Sequence, residues 1–374
     1  MKRRSGSLDG LRGFAAIAVV YMHVVVHVGL LPFAPLGAMG VLVFFGLSGY
    51  LISAICWRTE SSLQGYRAFL RRRLTRLAPV ILALFAVGVP ALVTLGHLPW
   101  RDVLRDGILA LTQTTAFATA SGVDTHPSLA PTWSLTVEWV YYLVFPLVLL
   151  LLRRRLTSEQ AALKALTAIT VFLFLVGLLL PPRQYYLLPV ANLAVLFAGG
   201  SLATWHHLSG TRERRADEGW TATALLLLTI LVFLPGHTLG WGWKAVVLPA
   251  TTVGTLLVIH GCWASSRVSA LLGVRALRAV GLRAYSVYLW HMPVMWLVWV
   301  NLPVTPPLLR AAIALALVAI VSSASFHFLE RPVLGLRRTT EDPQAGLTER
   351  GHRPAPAAAV SLRERSTQTS REGL

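Results

Sequence analysis

Acidic side chains are scarce in this chain: 16 Asp and Glu stand against 34 Lys and Arg in 374 residues, a formal net charge of +18. Charged residues of both signs reach only 13%, about half of what a soluble domain carries, and that excludes the ordinary soluble class. The positive excess does not make a nucleic-acid binder either, because the basic residues lie in short loops between apolar runs and not on one soluble face. Cysteine is nearly absent: Cys56 and Cys262 each close an apolar run, too few for a disulfide framework. No H-E-x-x-H and no paired Cys and His spacing offers a metal site, no P-loop offers a nucleotidase, and no G-x-S-x-G offers a serine hydrolase. No metal or prosthetic group is therefore expected. Ser48, in G-L-S-G, lacks the strand-to-helix setting of a nucleophile elbow, and close packing of small residues between helices is its expected role.

What the chain has in abundance is apolar length. Hydrophobic residues make up 55% and the mean hydropathy is +0.62, the composition of an all-α polytopic membrane protein. Ten stretches of near-bilayer length are expected, at 14–31, 36–55, 77–95, 133–152, 162–180, 187–205, 221–234, 245–263, 285–300 and 308–328. With the N-terminus in the cytoplasm, all but five of the 34 Lys and Arg fall inside, the exceptions being Arg101, Arg105, Arg183, Lys244 and Arg310. The positive-inside rule thus places both termini in the cytoplasm of a cell-membrane protein. The first apolar run is too long for a cleavable signal and is expected to stay as an anchor. His97 to Thr132 is the longest external loop, either a solvated cap or a short helix on the outer interface. The division expected is a transmembrane domain over 1–336 and a disordered tail over 337–374, where large apolar residues nearly vanish.

One stretch organises the rest. Ser7 to Phe33 is long enough to cross a bilayer, yet it carries Arg12 near its start and His23 and His27 inside. Eleven residues return a helix to nearly the same face, and at about 1.5 Å each they set His23 roughly 16 Å deeper than Arg12. An ionisable side chain at that depth faces a bundle interior or wet cavity and marks a reactive site or pathway. A neutral imidazole titrates near working pH and suits a general base; the alternative is a helix-to-helix hydrogen bond. His27, one turn on, is either structural or a contact for an acceptor.

Other polar groups interrupt the apolar helices. Asp9, three residues before Arg12, is placed to cap the helix and fix the guanidinium. Arg73 and Arg76 share one helical face at a cytoplasmic helix mouth, with Arg71 and Arg72 beside them, and guanidinium groups there suit phosphate. Coenzyme A is cytoplasmic and carries phosphates, so an acyl-CoA headgroup is the ligand they suggest, against snorkelling to lipid phosphate. Ser134, Glu138 and Tyr142 form a polar line four residues apart. Glu138 either orients His23 or an acceptor hydroxyl, or ties two helices together. His291, with Tyr288 three residues earlier, reaches a depth comparable to His23, lining the same space or making a structural bond ahead of Pro293. Glu330 and Arg331, before Pro332, read as an ion-paired helix end at the cytoplasmic surface.

The run SLDGLRGFAAIAVVYMH (Ser7 to His23) resembles the opening signature of the acyltransferase 3 family of integral-membrane O-acyltransferases, which has the same spacing of Arg12 and His23. GVLVFFGLSGYLIS (Gly40 to Ser53), RRRLTRLAP (Arg71 to Pro79), PTWSLTVEWVYYLVFP (Pro131 to Pro146), GLRAYSVYLWHMPV (Gly281 to Val294) and SFHFLERPV (Ser325 to Val333) follow in the family's order. Leu42 departs from the pattern, standing where many members place an acidic residue. The resemblance implies acyl transfer from acyl-CoA, acetyl-CoA first, to a hydroxyl of a cell-surface glycan or a glycosylated or macrolide-type small molecule. It weights His23 toward chemistry and Arg73 and Arg76 toward the donor; from the residues themselves, Glu138 is expected to join the chemistry, Arg12 to contact the donor, and Asp9, Ser134, Tyr142, Tyr288 and His291 to give support. The competing class is a proton-coupled transporter, with His23, His291 and Glu138 as a relay; it calls for an internal repeat, which the sequence does not show.

Overall fold

The computed structural model describes residues 2–28, 36–59, 62–209, 217–235, 240, 242–263 and 267–334. In chain order the helices are α1 (Lys2–Val28), α2 (Met39–Arg58), α3 (Leu63–Ala83), α4 (Val89–Thr94), α5 (Trp100–Leu111), α6 (Thr115–Ala120), α7 (Trp133–Arg155) and α8 (Glu159–Leu178). They continue with α9 (Pro182–Leu187), α10 (Pro189–Leu208), α11 (Glu218–Phe233), α12 (Leu248–Trp263), α13 (Arg267–Leu272), α14 (Arg275–Leu282), α15 (Ala284–Asn301) and α16 (Pro307–Ser325). Local chemistry sets several starts. Ser62 Oγ accepts from Gly65 N at 3.0 Å ahead of α3, and Ser158 Oγ from Ala161 N at 3.1 Å ahead of α8. Pro182, Pro189 and Pro307 stand where a missing N–H leaves no bond unmade.

Among the described residues, eight helical stretches are long and apolar enough to cross a membrane. Two of the ten expected segments fall short of that measure. α11 is apolar but has 16 residues, and α15 spends its length on Trp290, Trp296, Trp299, Tyr285, Tyr288, His291 and Asn301. The tail expected from 337 onward lies outside the described residues.

The interior is built on α2 and α10, each with 72% of its apolar window buried, whereas α8 and α16, at 17% and 22%, are left to face lipid. Close approach explains the pairing: a Cβ on Gly49 of α2 would lie 2.0 Å from the Leu196 carbonyl oxygen of α10, and one on Gly199 would lie 2.2 Å from that of Gly46. Without a hydrophobic drive between helices in lipid, such backbone contact and interhelical bonds hold a bundle. Trp57 Nε1 donates to Thr204 Oγ1 at 2.8 Å, and Ser53 Oγ lies 2.9 Å from the Tyr141 hydroxyl.

Three π turns, Leu84–Gly88, Trp243–Val247 and Phe326–Glu330, interrupt the helices. Each ends two residues before a proline, Pro90, Pro249 and Pro332. Proline lacks the N–H and its ring crowds the carbonyl four residues back, and the wider turn relieves that crowding.

The long loop after α4 is folded. α5 buries Asp106, whose carboxylate accepts from His126 N at 2.7 Å and pairs with Arg105 at 3.0 Å. His126 packs edge-on against Trp296, ring centroids 4.4 Å apart. A packed cap, and not a helix lying free on the interface, is what these bonds make.

Candidate active site

α1 presents Arg12 to the interior because α14 cannot be pushed away from it. A Cβ on Gly13 would lie 2.1 Å from the Leu277 carbonyl oxygen, and one on Gly281 would lie 1.7 Å from that of Asp9. One turn before Arg12, Asp9 Oδ1 lies 3.5 Å from its Nη1, the expected ion pair. α3 brings Arg73 and Arg76 to the cavity that Arg12 lines. The Arg73 guanidinium lies over Phe69 at 5.4 Å and Tyr142 at 5.7 Å from the ring centroids, a stacking that suits its planar fork. Arg76 Nε is buried with no hydrogen-bond partner among the described residues.

α7 forms the facing wall. Ser134, Glu138 and Tyr142 all line the cavity, as their spacing predicts. Glu138 Oε1 accepts a hydrogen bond from Ser48 Oγ of α2, and Tyr142 lines the same cavity one helical turn further on. Ser134 Oγ lies 2.7 Å from the hydroxyl of Tyr288, which donates onward to the Pro131 carbonyl at 2.7 Å. Three permanent cations and a carboxylate bearing a serine hydroxyl thus share one space. The first can hold phosphate and the second can move a proton.

The imidazoles stand next door. His23 and His291 face each other with ring centroids 5.2 Å apart, and neither lines the cavity. Tyr288, which does line it, has its ring 5.8 Å from that of His291. His291 Nδ1 donates to the Tyr288 carbonyl at 2.7 Å, which fixes the tautomer, and its buried Nε2 has no partner among the described residues. His27 Nδ1 donates to the His23 carbonyl at 2.7 Å, and its ring meets Trp299 edge-on at 5.4 Å. The expected residues therefore fall into two adjoining groups, Arg12, Arg73, Arg76, Ser134, Glu138, Tyr142 and Tyr288 on the cavity and His23 with His291 beside Tyr288.

Two cavity residues depart from the sequence reading. Gly46 and Gly49 do the close packing expected of the G-L-S-G stretch, but Ser48 points the other way, into the cavity and onto Glu138. Glu330 is not an ion-paired surface end. It is 1% exposed, accepts from Ser286 Oγ, and is carried onto the cavity by the π turn before Pro332. Its signal was there to read: a π turn forced by proline is a frequent mark of a functional site.

Fold and site together define a multi-pass helical membrane protein whose interior cavity gathers three arginines and a carboxylate, with two imidazoles nearby. The chain belongs to the acyltransferase 3 family, whose model, described as an acyltransferase domain, matches residues 5–327. It is 27% identical over 350 residues to the peptidoglycan O-acetyltransferase OatA of Listeria monocytogenes, covering 87% of this chain and 55% of that protein. It is also 27% identical over 355 residues to the O-acetyltransferase OatA of Staphylococcus aureus, covering 87% and 56%. The chain spans about half the length of the curated relatives it matches. No solved structure is matched by it.

Proposed function

We propose that the protein is a cell-membrane O-acyltransferase that moves a short acyl group, acetyl first, from acyl-CoA to a hydroxyl of a cell-surface glycan. A macrolide-type or glycosylated small molecule is the lesser acceptor, because the similar proteins are named for peptidoglycan. The observation that carries this reading is the convergence of Arg12, Arg73 and Arg76 on one cavity with the Glu138 carboxylate. A donor of this kind has phosphates at one end of an extended arm and a thioester at the other. The arginines hold the phosphates, and the arm runs inward along α1 toward His23.

His23 takes the proton of the acceptor hydroxyl as it attacks the acyl carbonyl, and the free lone pair on His291 Nε2 stands beside it to share that proton. Tyr288 lines the cavity with its ring 5.8 Å from that of His291, and that ring turns aside for the reacting groups to meet. Glu138 orients the reacting end. Asp9 keeps the Arg12 fork in place. Ten crossings complete this picture, with both termini cytoplasmic. The arginine mouth then meets the cytosol, where the donor is made.

The test is acetyl transfer by the purified protein from acetyl-CoA to isolated cell-wall glycan. His23→Ala is expected to lower kcat by about 10² to 10⁴-fold with the KM for acetyl-CoA little changed. Unchanged turnover would remove His23 from the chemistry. The transporter reading makes the opposite forecast, flux of an anion with protons and no covalent product, and no observation favours it.

A further inference from the structure

The cavity holds a nucleophile and a base already in contact. Ser48 Oγ donates to Glu138 Oε1, and both line the cavity. A hydroxyl hydrogen-bonded to a base is the arrangement by which serine is activated for covalent catalysis, whatever the fold. Arg12, Arg73 and Arg76 line the same space, so a donor held by its phosphates would have Ser48 within the cavity that holds it. His23 and His291 do not line that cavity. Local packing does not account for the serine's direction. The glycines on either side of it supply the close contacts of α2, and Ser48 is only partly buried.

We propose that Ser48 is an acyl carrier, and that the protein works in two half-reactions through an acyl-serine. This rests on the acyl-transfer reading of the same site. In the first half-reaction Ser48 Oγ attacks the thioester carbonyl carbon and its proton passes to Glu138. The new oxygen–carbon bond forms, the carbon–sulfur bond breaks, and the thiolate of coenzyme A leaves to take a proton from the cytosol. In the second, the acceptor hydroxyl attacks the acyl-serine and gives its proton to His23, which releases it to water and so balances the proton that the thiolate took up. The acyl–Oγ bond breaks, and Glu138 returns its proton to Ser48. Donor and acceptor then need never occupy the site together.

The experiment is to mix purified protein with acetyl-CoA and no acceptor. A burst of free thiol equal to the enzyme present is expected, together with one hydroxylamine-labile acetyl group on the peptide that contains Ser48. Ser48→Ala is expected to abolish both. Glu138→Gln, which keeps a hydrogen-bonding oxygen but cannot take the proton, is expected to slow the burst by about a hundredfold or more. Both variants are first checked for parental elution and acetyl-CoA binding, so that misfolding is not mistaken for chemistry. The carrier role is overturned if the parent acetylates isolated cell-wall glycan while showing neither burst nor label, if the label sits on another residue, or if Ser48→Ala transfers acetyl at the parental rate. Absence of acetyl transfer to any acceptor by the parent would instead remove the acyl-transfer reading, and this proposal with it.

Discussion

The hydroxyls of Ser134 and Tyr288 sit 2.7 Å apart, both side chains line the arginine-bearing cavity, and the Tyr288 ring lies 5.8 Å from that of His291. Tyr288 also donates to the Pro131 carbonyl, so its hydroxyl holds the start of α7 against α15. Tyr288→Phe keeps the ring and removes both bonds. It is expected to cost about 1 kcal/mol of stability and to alter turnover more than donor KM, because the group lies beyond the phosphate site. Thermal unfolding in detergent and initial rates against acetyl-CoA concentration would check both parts.

Arg76 lines the cavity with its Nε free of any hydrogen bond among the described residues. Lysine would keep the charge and lose the fork. Arg76→Lys is therefore expected to raise the KM for acetyl-CoA about tenfold, the equivalent of one charge-assisted hydrogen bond. kcat should change less. The measurement is a set of saturation curves for parent and variant at fixed ionic strength, and an unchanged KM would take Arg76 out of the donor site.

Gly281 faces Asp9 so closely that a methyl group would sit 1.7 Å from a carbonyl oxygen. A backbone atom cannot swing away as a side chain can. Gly281→Ala should push α14 from α1, displace Arg12, and destabilise the bundle by about 1–3 kcal/mol or more. A melting curve in detergent measures the loss, with Gly122→Ala as the control. Nothing lies within 4 Å of a Cβ there, but its φ of +101° favours glycine, and a loss confined to that strained turn is expected.

His126 lies in the folded cap between α6 and α7, outside the spanning helices. Burial pushes its imidazole below the ordinary value, and the Asp106 carboxylate pulls the other way without overcoming it. A base depressed on folding binds fewer protons folded than unfolded, so its contribution is present above about pH 6.5 and fades as pH falls. The melting temperature of the parent is expected to drop with acidification below that point more steeply than that of His126→Gln. A set of melting curves between about pH 5 and 8 would show it.

Much of this site could be read from residue spacing alone. Ser134, Glu138 and Tyr142 fall on one line of a helix because four residues make about one turn, and they meet one cavity. Arg73 and Arg76 follow the same rule, as does the Asp9 and Arg12 pair. What spacing could not reveal was which helices face each other. Arg12 and His23 share a stripe of α1, yet the arginine lines the cavity while the histidine lies against His291 of α15. Ser48 and Glu138 meet across separate helices, and no local pattern records such an encounter. That α15 falls short of the apolar measure has a similar cause: it is lined with indole, phenol and imidazole, and most of its side chains are buried against protein.

The glycines between α1 and α14 carry a mechanical consequence. With carbonyl oxygens pressed into the places where methyl groups would be, those two helices cannot slide or part, and Arg12 is seated as if on a fixed jaw. Any widening of the cavity must then come from the opposite jaw, where Arg73 and Arg76 ride on a helix that is interrupted after Ala83 by a turn able to bend.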